Sequence, residues 1–215
     1  MVRRIAIFVL LVMSASMTGC SWFGGSNQAR SPYSLIRSSD GAIVVWNQPQ
    51  THFTVSVSSH SLSQMHDEPG LAINVNGRVL KINTIDTDMI RSHGYKEPDM
   101  LRAHMRWELS HWAEYLKQSM KGKSLKRFND RTGATLIWQL NWTPEIAERV
   151  NSDASDLYYA TTVVGPRVVA MALTVPQWDD PNKALTFLTT VAKSLRRYDG
   201  PVDAGLIHGA VEANN

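Results

Sequence analysis

Asn76-Gly77 stands between two apolar alternations, Leu71-Ala-Ile-Asn-Val75 and Arg78-Val-Leu-Lys-Ile82. Asparagine and glycine both tolerate positive φ, which a two-residue type I′ turn requires, and that turn matches the twist of paired strands. Closing it sets Val75 opposite Arg78, Ile73 opposite Leu80 and Leu71 opposite Ile82. The apolar side chains then share one face. A slip of one residue would send them to the other, so the turn and the pattern demand the same register. An antiparallel sheet with an apolar face is therefore the frame that the other segments must fit.

Several segments fit it. Ala42 to Trp46 is a short apolar run, and Phe53, Val55 and Val57 alternate with Thr54, Ser56 and Ser58, the period-two mark of a strand. Leu136, Trp138, Leu140 and Trp142 share one face of a further strand, and the two tryptophans read as core. Two more strands, 157–164 and 167–175, flank Gly165-Pro166 as a second hairpin.

Two segments change period. Between Pro98 and Met120, Leu101, Met105, Leu109, Trp112, Leu116 and Met120 recur at spacings of three and four, predicting a long helix that Gly122 stops. Asp180 and Pro181 open a second helix running to Arg197, with Leu185, Leu188, Val191, Ala192 and Leu195 on its buried stripe. Thr143-Pro144-Glu145 caps a short helix to about Val150. The expected fold class is α+β: a mostly antiparallel sheet flanked by a long central helix and a C-terminal helix, in one domain over residues 41–198. Residues 199–215, with Gly200-Pro201 and many small side chains, read as a poorly ordered tail.

The carboxy-terminal order, Tyr158 to Val175 around Gly165-Pro166 and then a helix over 182–197, resembles the ending of PsbP-like proteins. That resemblance implies a curved antiparallel sheet flanked by helices. It also implies a non-enzymatic accessory or assembly role.

The only cysteine, Cys20, follows Arg3-Arg4, an apolar run from Ile5 to about Met17, and Thr18-Gly19. This is the layout of a secretory signal, and its apolar run is too short to cross a bilayer, which takes roughly 20 residues. Met17-Thr18-Gly19-Cys20 resembles the lipobox of bacterial lipoproteins. The resemblance implies cleavage after residue 19, a diacylglycerol thioether on Cys20 and an acyl chain on its amino group. It implies no other cofactor. Ser21 after the cysteine implies the outer membrane, with the domain facing the periplasm. Residues 20–40, beginning with the lipidated cysteine and including Gly24-Gly25-Ser26, read as a flexible tether, roughly 25 Å end to end for about 20 residues. The 215 residues less the 19 of the leader leave 196, and loss of Arg3 and Arg4 lowers the formal charge from +3 to +1. The basic pI of 9.1 therefore indicates no nucleic-acid partner. An envelope protein partner and the membrane itself are the partners expected.

Candidate chemistry is sparse. His104, Glu108, His111 and Tyr115 line one flank of the long helix, about 100° round from the buried stripe at 100° per residue. His104, Glu108 and His111 are either three metal ligands, as a zinc protein or metal-dependent hydrolase would need, or hydrogen-bonded and solvated groups at the rim of the sheet. His60, His66, Asp67 and Glu68 cluster in a loop-like segment, as a divalent-cation site or a solvated turn. The chain has no G-x-S-x-G elbow, P-loop, dinucleotide fingerprint or H-E-x-x-H motif. Trp178, in Pro-Gln-Trp-Asp-Asp-Pro181, is either an interface anchor or a staple on the final helix.

Overall fold

A computed structural model describes residues 31–65, 70–150 and 152–213. Cys20, the leader and most of the tether lie outside the described residues.

Strands β1 (Tyr33–Ser38), β2 (Gly41–Gln48) and β3 (Thr51–Ser58) form a meander, and a short β11 (Arg196–Tyr198) joins its far edge against β3. The second sheet has seven strands. β4 (Leu62–Met65), β5 (Leu71–Val75), β6 (Arg78–Asp86), β10 (Arg167–Pro176), β9 (Ala154–Val164), β8 (Gly133–Leu140) and β7 (Gly122–Asp130) follow in that spatial order. Every pairing is antiparallel. The β5–β6 register is the one that Asn76-Gly77 predicts, with Val75 opposite Arg78 and Leu71 opposite Ile82. Asn76 and Gly77 take φ of 53° and 85°.

Each face of the larger sheet has its own cover. Leu71, Ile73, Leu80, Ile82, Val169, Met171 and Leu173 pack against Val44, Trp46, Phe53 and Val55 of the smaller sheet and against α4 (Pro181–Lys193). The opposite face lies under α1 (Thr87–Ser92), α2 (Met100–Leu116) and α3 (Pro144–Arg149). Because both faces are covered, β9 and β10 are buried along almost their whole length. The fifth helix, α5 (Ala204–Glu212), lies against β1.

The expected arrangement, a mostly antiparallel sheet flanked by a long central helix and a C-terminal helix, is corrected: the described residues form two sheets, with eleven strands, and five short helices. The longest helix among the described residues, α2, has 17 residues. Asp99 caps it, its carboxylate accepting from the Leu101 amide at 3.2 Å, so Pro98 stays outside. Lys117 takes a left-handed conformation (φ 52°) that ends it, well short of Met120. Its buried arc is also rotated. Ala103, His104, Trp107 and Glu108 are buried, while Met105 and Leu109 sit half-buried over Gly122 of β7.

Three boundaries move as well. Residues 33–38, expected in the tether, form β1, because pairing with β2 satisfies their backbone groups. The expected poorly ordered tail contains α5, whose first turn is capped by Asp203, its carboxylate accepting from the Gly205 amide at 2.8 Å. Arg196 and Arg197, expected to end the last helix, instead pair with Thr54 and Phe53.

The two sheets meet where the β9–β10 turn touches the β2–β3 turn. Gly165 (φ 59°) lies so close to it that an added Cβ would stand 2.1 Å from the Gln50 carbonyl oxygen. The Thr51 hydroxyl donates to the Val164 carbonyl at 3.4 Å beside it. Gly165→Ala should therefore destabilise the domain by about 2–4 kcal/mol, combining left-handed strain with overpacking against backbone. Urea unfolding checks this, and an unchanged midpoint would remove the close approach.

Candidate functional site

Helix α2 places two polar side chains in the interior. His104 and Glu108, one turn apart, have relative exposures of 0% and 1%, and His104 Nε2 lies 3.4 Å from Glu108 Oε1. They sit between two apolar clusters of the helical layer. Ala103 and Trp107 join Ile85, Val168 and Ala170, while Leu101, Trp112 and Leu116 join Leu136, Trp138 and Leu140. Both His104 ring nitrogens and Glu108 Oε1 lack a hydrogen-bond partner among the described residues. The two side chains thus face each other in a region with little else to solvate them.

Beneath it, Tyr159 is fully buried, stacked on Trp138 with ring centroids 4.1 Å apart and planes within 2°. The Trp112 indole N–H donates to the Tyr159 hydroxyl at 2.9 Å. Burial, and secondly the Glu108 carboxylate, push the Tyr159 phenol well above its ordinary value, against the Trp112 hydrogen bond. Tyr159 is therefore a neutral phenol at any physiological pH. Strand register carries this row on through Ala172 to Lys81, which is also buried.

The third member of the expected ligand set points elsewhere. His111 is half-buried, donates from Nδ1 to the Trp107 carbonyl at 2.9 Å, and packs against the Trp107 ring at 4.1 Å and the His93 ring at 6.3 Å. Tyr115 is exposed. Among the described residues no three His, Cys, Asp or Glu side chains are placed to hold a metal ion. The four residues expected on one flank of α2 thus divide by burial: His104 and Glu108 are inside against the sheet, His111 is half-buried and Tyr115 is exposed. Of the second cluster, His60 is exposed on the short connection between β3 and β4, and His66, Asp67 and Glu68 lie outside the described residues.

The surface features lie elsewhere. Trp178 is 64% exposed, yet its indole rests on the β5–β6 turn, where a Cβ at Gly77 would meet Trp178 Cζ2 at 2.7 Å. The next residue, Asp179, accepts from both Nε and Nη2 of Arg78, the latter at 2.9 Å, and Arg78 also lies over the Phe187 ring of α4 at 5.6 Å. This fork raises Arg78 and holds Asp179 below its ordinary carboxylate value through the hydrogen bond and charge of Arg78. The loop is thereby a rigid platform for an exposed indole. An open cleft of about 510 Å³ lies at the start of α2, between Met100, Leu101, Ala134 and Val163, and the Asp99–Arg127 ion pair stands at its wall. Partial burial pushes Asp99 up, but the Arg127 hydrogen bond and charge and the Arg102 and Leu101 amides outweigh it and hold the carboxylate low.

Among solved structures, the chain is similar to the solution structure of cyanobacterial PsbP (CyanoP) from Synechocystis sp. PCC 6803. The TM-score is 0.39 at 9% identity, over 82% of this chain and 99% of that one. No protein-family model matches the chain. No curated protein matches it either. A likeness at that level supplies no argument about what the chain binds.

Two outcomes follow from the geometry. His104→Leu should cost about 3–5 kcal/mol by leaving the Glu108 carboxylate buried without its partner, whereas His104→Leu with Glu108→Leu should recover most of that loss. Thermal unfolding of the single and double variants decides, and equal losses would mean that the pair is not coupled. For the loop, Asp179 has a depressed pKa, so its contribution is complete above the ordinary Asp value near 3.9 and is lost as pH falls through the folded value. Asp179→Asn should lower stability by about 1.5–3 kcal/mol at neutral pH and flatten the acid limb of the stability profile. An acid limb identical to that of the parent chain would show that the fork is not formed.

Proposed function

We propose that this chain is a lipid-anchored envelope protein that binds a protein partner, or assists assembly of an envelope complex, without catalysing a reaction. The observation that carries the reading is Trp178, which is 64% exposed on a platform made rigid by Gly77, Arg78 and Asp179. Tryptophan is enriched among residues that dominate binding energy, and an indole held in place loses little further freedom on association. The titratable pair of α2, His104 and Glu108, lies in the interior, at 0% and 1% exposure. Anchoring at Cys20 rests on the lipobox-like Met17-Thr18-Gly19-Cys20 and on the leader before it. No described helix is long and apolar enough to cross a membrane. Three fatty chains, or even two, hold a protein firmly on a bilayer where one holds it weakly. Ser21 supports an outer-membrane, periplasm-facing placement in a bacterium with two membranes.

A photo-reactive side chain introduced at position 178 in cells should give one cross-linked species of reproducible mass, strongly reduced when Arg78→Ala loosens the platform. The same group at Lys126, on the edge strand β7, is the reference, and equal adducts from both positions would sink the Trp178 assignment. Anchoring is tested separately. Cys20→Ala should release the domain from membranes or leave an unprocessed precursor, and firm attachment of a processed Cys20→Ala chain would refute the lipid anchor.

A further inference from the structure

Helix α5 has the sequence Ala-Gly-Leu-Ile-His-Gly-Ala-Val-Glu, and none of its residues is buried. Ala204, Ile207 and Val211, at spacings of three and four, are half-buried on the side toward the domain, where the helix meets β1. The other side is apolar too: Leu206 is 74% exposed, and Gly209 and Ala213 are exposed beside it. His208 and Glu212, their side chains 57% and 69% exposed and 3.4 Å apart, are the only titratable side chains on the helix. A helix that is apolar on opposite sides belongs where both sides are covered. The domain covers one.

The position of α5 indicates what covers the other. Asn47 holds the segment before the helix, its side-chain amide donating to the Val202 carbonyl and its side-chain oxygen accepting from the Val202 amide, both at 2.9 Å. The backbone amide of the same Asn47 donates to the Pro32 carbonyl at 2.7 Å. One residue therefore pins together the entry to α5 and the point where the chain arrives from its amino-terminal part. Only the twelve residues Ser21 to Pro32 separate that point from Cys20, a reach of at most roughly 43 Å. An anchor at Cys20 therefore holds the α5 end of the domain within that reach of the lipid surface, while β7 lies on the far edge of the larger sheet.

We propose that the outer face of α5, led by Leu206, lies on the bilayer that holds Cys20, and so sets the orientation of the domain. This rests on the lipid-anchor reading above. The helix lies in the interface with its Leu206 side toward the acyl carbons, held there by the lipid anchor rather than by lysine or arginine side chains, of which it has none. With the tether end down, the opposite edge of the larger sheet is presented away from the membrane.

The test uses the full, processed chain carrying Leu206→Cys, with an environment-sensitive thiol dye, on vesicles of phosphatidylethanolamine and phosphatidylglycerol. Leu206 is exposed, so the substitution leaves the fold intact, which far-UV circular dichroism checks. Lys123→Cys on β7 is the reference site. The expected result is a blue-shifted dye emission at position 206, quenched by a lipid-borne quencher, and a water-like, unquenched emission at position 123. A water-like signal at 206 from protein that floats with the vesicles overturns the α5 inference and leaves the anchor reading standing. A shift at 206 that grows with protein density but resists the lipid-borne quencher means a second copy covers the helix, and also overturns it. Protein that does not float, or that takes up a second dye at Cys20, overturns the anchor reading and the inference with it.

Discussion

The fold depends on the β9–β10 hairpin being buried on both faces at the middle of the seven-stranded sheet. Arg167 to Thr174 pair with β9 on one side and β6 on the other without interruption, so the hairpin's backbone groups are satisfied within the sheet. Its side chains serve two cores at once. Val169, Met171, Leu173 and Val175 face the smaller sheet and α4, and Val168, Ala170 and Ala172 face the helical layer. A strand wet on one side would alternate apolar and polar. This hairpin does not, since neither of its faces meets water.

That double burial explains why the helical layer contains so unusual a pair. The face beneath α2 carries large rings, Trp138 and Tyr159, beside small residues, Ala170 and Ala172. The helix settles with Ala103 and Trp107 over the small residues and Trp112 over the rings, and this rotation takes His104 and Glu108 inside. An ion pair in such a place is weak evidence for stability, because desolvation offsets much of the attraction. The two side chains lie one turn apart on the same helix, so their contact is local to α2 and what the rotation decides is their burial. The surface follows a different logic. Trp178 and Leu206 are exposed on segments that hydrogen bonds hold still, at the β5–β6 tip and at the β1 edge.

Much of the strand framework was legible because local chemistry and pattern agreed. The Asn76-Gly77 turn, the Gly165-Pro166 hairpin, and the Thr143 and Asp180 caps each combine a residue with a special backbone role and a run of matching period. The segments that escaped notice lack that agreement. β7, Gly-Lys-Ser-Leu-Lys-Arg-Phe-Asn-Asp, is an exposed edge strand rich in charge, with a register shift between Ser124 and Lys126 that breaks its alternation. β1 and β11 are strands only because β2 and β3 offer them partners. On α2, the period was legible and the rotation was not. Leu101, Trp112 and Leu116 are buried as the spacing predicts, yet the inward turn of His104 and Glu108 depends on which side chains wait on the sheet.

By itself, then, the sequence determined the turns, the caps and the two-residue alternation, since each is set by interactions within a few residues. Only the tertiary structure decided that the strands divide into two sheets, that α2 hides its histidine and glutamate, and that Asn47 brings the start of β1 beside α5. Those outcomes rest on contacts between residues far apart in the chain, where burial on a shared surface outweighs the polarity of any single side chain.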